Sequence, residues 1–232
     1  RFDNIMKHPK NVNNIVALRG ALFMRTLQDE VQNQGFIVAH IKTDSIKIPN
    51  ATKEIIDFCK EFAKKYGYVF KHEATYEKFC LVNDAVYIAK YQGGGWTATG
   101  AQFQHPYVFK KLFSKEQIEF IDLCEIKSVT GESSLYLDLN EGLDKDEHNY
   151  QFVGRTGEFC PIKEGFGGGL LYREKDGKYF AATGTKGYRW LESEVIRNLH
   201  TEDKINYKYF DELVDEAVQT INKFGDFEQF AS

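Results

Sequence analysis

The sequence predicts an α+β chain in two parts. Residues 1 to about 100 form an antiparallel sheet with two helices, and residues 101–232 form a more helical region that holds a β-rich module at 150–190 and a terminal helix. Three observations lead there. Apolar residues recur at helical spacing in blocks near each end, β-branched and aromatic runs lie between them, and glycine clusters separate the runs.

Residues 14–34 read as a helix with a broad apolar face of Ile15, Leu18, Leu22, Leu27 and Val31, stopped by Gly35. The β-branched run 36–41 reads as a strand, Lys42-Thr-Asp-Ser45 as a short turn, and Ile46-Lys-Ile48 as a resumed strand. Pro49 and Asn50 start a second helix, lined by Ile55, Phe58, Phe62, Ala63 and Tyr66 and ended by Gly67. Strands at 68–82 and 85–92 follow, joined at Asn83-Asp84, with Gly93-Gly-Gly95 as the next turn. Residues 106–123 read as helical, the acidic stretch 138–149 as a linker, and 150–190 as glycine-rich strands. The last helix gathers Phe210, Leu213, Val214, Ala217, Ile221 and Phe224 on one face, capped by Gly225.

With 232 residues and 42% hydrophobic content, the chain has ample material for a packed core. No stretch approaches the ~18 apolar residues of a membrane span, and no basic-then-apolar leader stands at the start. The expectation is a cytoplasmic protein with no membrane partner. Four cysteines, Cys59, Cys80, Cys124 and Cys160, form no CxxC pair, which points to reduced thiols rather than zinc. Net charge is −4, yet residues 150–190 alone carry +3, so the remainder is −7. Such asymmetry suggests a polyanion surface; ordinary solvated strands are the competing reading. The chain starts at Arg1 rather than Met, which fits a fragment.

Chemistry concentrates at Lys42-Thr-Asp-Ser45. Nucleotidyl transfer needs carboxylates to hold two divalent metals ~3.5–4 Å apart, and magnesium accepts hard oxygen ligands. A carboxylate at a strand–turn–strand tip is projected by the turn and fixed by the paired strands. On the tripeptide Thr-Asp-Ser alone a plain turn former is the stronger reading.

The order of the surrounding segments shifts that balance. Segment 36–48, Phe-Ile-Val-Ala-His-Ile-Lys-Thr-Asp-Ser-Ile-Lys-Ile, resembles motif C of family B DNA polymerases, written YxDTDS, and the helix before it resembles the family's helix leading into that hairpin. Asp44 matches the second aspartate, the one that ligates metal, while Lys42 stands where the first would be. The later run 78–91 resembles the K-x-Y strand: Tyr87 matches the tyrosine that packs at the primer strand, Ala85 replaces the lysine, and Lys90 is its candidate substitute. Segments 99–110, 122–130, 152–161 and 184–194 resemble carboxyl-terminal regions of polymerases from tailed phages and prophages.

The resemblance implies the carboxyl half of a palm at 1–100 and a thumb-like region at 101–232. It also implies Mg²⁺ in the intact enzyme, and primer-template DNA and deoxynucleotides as partners. Motif A and motif B, which lie upstream in the family, are absent, so the chain is expected to need the remaining amino-terminal part of the polymerase and to be inactive alone. The rival is a non-catalytic module that binds nucleic acid or a replication partner. Arg155, Lys186 and Arg189 are the candidate phosphate contacts, and Tyr188 or Trp190 the candidate base-stacking rings, with Trp190 also read as core. The loop Gly165-Phe-Gly-Gly-Gly169 fits neither phosphate-binding glycine pattern and reads as a hairpin turn. His105 receives no role.

Overall fold

The computed structural model describes residues 15–141, 144 and 146–232. The protein is mixed α+β, with antiparallel sheets and seven helices among those residues. It divides into two compact units, Arg1–Gly100 and Ala101–Ser232. No helix among the described residues is long and apolar enough to cross a membrane.

In the first unit, helix α1 (Ile15–Asn33) packs on helix α2 (Lys53–Lys65). The shared core is Phe23, Met24, Leu27 and Val31 against Ile55, Cys59 and Ala63. The broad face expected on α1 is corrected: Leu18 and Leu22 are 54% and 69% exposed. At roughly 100° per residue they fall nearly opposite Leu27, so the face that meets α2 is the narrower stripe of Phe23, Met24, Leu27 and Val31. The start of α2 is corrected too. Thr52, not Pro49 or Asn50, caps it, its hydroxyl accepting from the Ile55 amide.

Strands β1 (His40–Lys42) and β2 (Ser45–Lys47) pair antiparallel, closing at Lys42↔Ser45. Residues 36–39 therefore precede the ladder instead of forming its first half, with the Ala39 amide donating to the Lys47 carbonyl as the ladder begins. Strands β3 (Tyr76–Asn83), β4 (Val86–Tyr91) and β5 (Trp96–Ala98) make an antiparallel sheet in that order. The strand expected from residue 68 begins eight residues later; Tyr68 and Phe70 instead pack on the ring of Phe23, with centroids 4.7 and 5.6 Å away.

The second unit opens with α3 (Ala101–Gln104) and α4 (Pro106–Phe109), which widens into a π-turn at Lys110–Ser114. The continuous helix expected over 106–123 is broken at Lys115, which is left-handed (φ 57°), and only a 3₁₀ turn at Phe120–Leu123 follows. Two sheets then form from β6 (Glu125–Ser128), β7 (Ser134–Asp138), β8 (Tyr150–Gly154), β9 (Thr156–Ile162), β10 (Leu170–Lys175), β11 (Lys178–Ala181) and β12 (Arg189–Glu192). Their orders are β11-β10-β7-β8 and β12-β9-β6. The β module thus extends beyond 150–190, since β6 and β7 lie upstream and pair into it.

Nor is the acidic stretch a plain linker. Asp138 is buried, and its carboxylate accepts from the Asn140 and Asn149 amides and from His148, tying both ends of the loop together. Residues 142, 143 and 145 of that stretch lie outside the described residues.

Helices α5 (Ser193–Leu199), α6 (Tyr207–Asn222) and α7 (Phe227–Ala231) complete the unit. Phe159, Trp190, Ile196, Ile205 and Phe210 are fully buried in its core. The end of α6 is corrected: Lys223 caps it, Phe224 is exposed, and α7 follows.

Candidate functional site

The register of β1 and β2 leaves a two-residue tip, Thr43–Asp44. Asp44 is exposed there, with Lys42 and Thr43 exposed beside it. Thr43 takes a left-handed conformation, φ 49°, which is costly for a β-branched residue. Such strain concentrates at functional sites. The Ser45 hydroxyl donates to the Lys42 carbonyl at 3.2 Å and braces the turn from inside.

The hairpin is held against the β3–β4 sheet by two side chains. His40, buried on β1, donates from Nε2 to the Asp84 carbonyl at 2.8 Å, and its Nδ1 is buried without a partner. Lys47 on β2 lays its ammonium over the Tyr87 ring at 4.7 Å and the Phe79 ring at 5.9 Å. Burial, and then the charge of Lys42, lower the Lys47 pKa. The Tyr87 ring in turn stacks on Phe79, centroids 5.1 Å apart. The structure therefore brings the Asp44 hairpin and Tyr87 together in one packed layer. Beneath β2 lies a cavity of about 510 Å³, walled by Ile48, Ile56 and Phe70 and bordered by Lys60 and Lys71.

Lys90 does not join this group. It lies three residues from Tyr87 on β4, and successive residues alternate faces, so the two side chains point to opposite sides of the sheet. Its ammonium sits 3.5 Å from Glu77 and over the Trp96 ring at 5.8 Å. The structure therefore does not bring Lys90 and Tyr87 together.

The three cations of the second unit are likewise not assembled into one patch. Arg155 is exposed in the β8–β9 turn. Arg189 faces Ile162 at the other end of β9, seven residues or roughly 23 Å away at ~3.3 Å per residue. The Arg189 guanidinium is mostly buried, donating to the carbonyls of Gly168 (2.7 Å) and Asn140 (3.3 Å) and lying 3.4 Å from Glu141. Lys186 is ion-paired with Glu216 of α6. Trp190 is fully buried, so it is core and not a stacking ring. The Tyr188 hydroxyl is engaged by Glu212, and burial together with that carboxylate pushes its pKa up to about 12.

The glycine-rich loop has a packing explanation. A Cβ on Gly168 would lie 2.2 Å from the Trp190 carbonyl oxygen, and one on Gly169 would lie 2.0 Å from that of Asp138. These glycines let β10 enter between two backbones. Arg155's end of the sheets holds a different feature, a cleft of about 440 Å³ lined by Lys127, Arg173 and the hydroxyl residues Ser128, Thr130, Ser133 and Thr183. The Val129 amide donates to the Arg155 carbonyl, which places Arg155 at its margin.

Sequence reasoning gave no role to one buried network. Glu125 accepts from Lys127 (2.7 Å) and the Tyr209 hydroxyl (2.9 Å) on one oxygen, and its other oxygen lies 3.1 Å from His105 Nε2. Burial opposes ionisation of Glu125, but its bonds to His105, Lys127 and Tyr209 outweigh it and hold the carboxyl below its ordinary range. Burial and the same carboxylate push the Tyr209 phenol up. Lys127 also covers the Trp190 ring at 4.5 Å. Four residues spread over more than a hundred positions leave no local pattern to find. No known protein family, curated protein or solved structure matches the chain.

Proposed function

We propose that the chain is the carboxyl-terminal palm and thumb portion of a DNA-directed DNA polymerase of the family B type that its segments resemble. The observation that carries the reading is the Thr43–Asp44 tip, which projects one carboxylate from a braced hairpin packed beside Tyr87. In this reading Asp44 is a metal-holding carboxylate and Tyr87 packs at the primer strand. The thumb-like unit grips duplex phosphates at the cleft margined by Arg155 and lined by Arg173.

The described residues do not supply a two-metal site. Among the described residues there is no group of three acidic, histidine or cysteine side chains able to hold an ion, and the charged neighbours of the hairpin include Lys42 and Lys47. A second carboxylate must come from outside these residues. That same shortage favours one rival, a module that binds nucleic acid and performs no chemistry.

Primer extension separates the two. The protein encoded by the full reading frame containing this chain should extend a primer, and Asp44→Asn should slow it by at least ~10²-fold, because metal-held charge contributes several kcal/mol to the transition state. The 232-residue chain alone should not extend. Binding of duplex without extension by the full-frame protein would establish the rival instead.

A further inference from the structure

We propose that Cys124 and Cys160 are a reversible oxidation site, converted by a hydroperoxide into a disulfide that ties the start of β6 to the middle of β9. The inference is independent of the polymerase reading and concerns the second unit alone. Both residues are free thiols, with sulfur atoms 3.6 Å apart.

Backbone geometry supports closure without rearrangement. β6 and β9 run antiparallel with Glu125 opposite Phe159, and Cys124, one residue earlier, is itself extended (φ −101°, ψ 137°). Continuing the register sets Cys124 opposite Cys160. Directly opposed residues of an antiparallel pair have Cα atoms ~4.5–5.5 Å apart, inside the ~4.4–6.8 Å span that a disulfide requires. Side-chain torsion then brings the sulfurs into bonding distance. Cys59 and Cys80 have no comparable neighbour among the described residues.

The two thiols have unequal roles. Cys160 is fully buried, whereas Cys124 is partly exposed and is the one a small oxidant reaches. The contact with Cys160 lowers the Cys124 pKa against the opposing effects of burial and the Glu158 charge, and nearby Arg197 adds to the lowering, while that contact and burial raise Cys160. Thiolate character at the accessible sulfur is what selects the first site of oxidation. The Cys124 thiolate attacks one peroxide oxygen and the O–O bond breaks. This leaves a sulfenic acid and, for hydrogen peroxide, hydroxide that takes up a proton to become water. The Cys160 sulfur then loses its proton, attacks the Cys124 sulfur and expels the second water. Two thiols and one peroxide give one disulfide and two waters, and a dithiol reductant reverses the step.

The test is oxidation of the purified chain with a slight excess of hydrogen peroxide, followed by thiol counting under denaturing conditions and peptide mapping without reduction. Titratable thiols should fall from four to two, a linked peptide should join Cys124 to Cys160, and dithiothreitol should restore all four. The oxidised chain should melt at higher temperature, because the bridge constrains the unfolded ensemble. Cys124→Ser and Cys160→Ala should each abolish the linked peptide. If either variant fails to fold, the wild-type map decides alone. Retention of four thiols, linkage through Cys59 or Cys80, or Cys124 driven to sulfinic acid while Cys160 stays free would each overturn the proposal.

Discussion

The Thr43–Asp44 tip and the entrance to β12 at Lys186–Arg189 are both left-handed turns that carry charge, and they use it in different ways. At the tip the chain reverses within two residues, and beyond Lys42 and Ser45 its surroundings are solvent, so the Asp44 carboxylate projects outward. At the β12 entrance the chain passes between strands and helix α6. Backbone carbonyls of Gly168 and Asn140 and the carboxylates of Glu141 and Glu216 converge there. Buried carbonyls need donors, and Arg189 supplies them. A charge on a hairpin tip is available to a ligand, whereas a charge at a strand entrance is consumed by the fold.

The largest expected effect breaks the comparison at the tip. Asp44→Asn in the full-frame protein should lower the extension rate by ~10²-fold or more while leaving the melting temperature unchanged, because an exposed tip carboxylate supports no core. A matching loss of stability would show that Asp44 is structural after all, and an unchanged rate would remove it from the chemistry.

Glu125 should show the opposite pattern. Glu125→Gln keeps one oxygen that can accept from Lys127 and Tyr209, but it removes the charge and turns an amide NH2 toward His105, and it should cost about 1–3 kcal/mol of stability at pH 7. The folded-state pKa of Glu125 lies below its ordinary value, so its ionised form stabilises the protein above the ordinary 4.5, and that contribution fades as pH falls through the depressed value. Denaturant unfolding of both proteins should therefore show a gap at pH 7 that closes below about 4.5. A gap that is constant with pH would mean the network does not depend on that charge.

The proposed phosphate contact at Arg155 sharpens the comparison further. Arg155→Ala should shrink the salt dependence of duplex binding by ~0.9 in slope, the amount expected for one lost phosphate contact. Arg189→Ala should leave the slope unchanged and lower the melting temperature, since Gly168 and Asn140 lose their donor. Fluorescence anisotropy at several salt concentrations measures the first, and thermal melting the second. A reduced slope for Arg189→Ala would return it to the interface.

These contrasts also show what the sequence makes legible. The hairpin, the α1 and α2 blocks and α6 are local objects, set by spacing and turn chemistry within a dozen residues, and their existence is readable from the chain. Their ends are less so: the packing of Tyr68 and Phe70 on the Phe23 ring joins residues more than forty positions apart. The candidate site divides the same way. Asp44 and Tyr87 come from short patterns and share one layer, while strand alternation sets Lys90 on the opposite face from Tyr87. Lys186 and Arg189 are charged in composition but paired in space, and no count of basic residues reveals the carbonyls that claim a guanidinium. The Glu125 network and the Cys124–Cys160 pair exist only through strand register.

The smallest effect concerns Thr43, and it tests whether the tip is built under strain. A β-branched residue held in the left-handed region costs ~1–3 kcal/mol. Glycine enters that region freely but loses more entropy on folding, ~0.5–1 kcal/mol. Thr43→Gly should therefore stabilise the first unit by about 1 kcal/mol, raising its melting temperature by about 4 °C for a unit of this size. The same substitution loosens the turn that aims Asp44, so the extension rate of the full-frame protein should fall even as stability rises, the exchange expected where activity rests on a strained element. Thr43→Asn, which tolerates the left-handed region while keeping a polar side chain, should recover part of the rate. A lower melting temperature for Thr43→Gly would show that the threonine hydroxyl or its packing, and not backbone strain, dominates at the tip. Stabilisation with no loss of rate would mean that Asp44 is positioned by the paired strands alone.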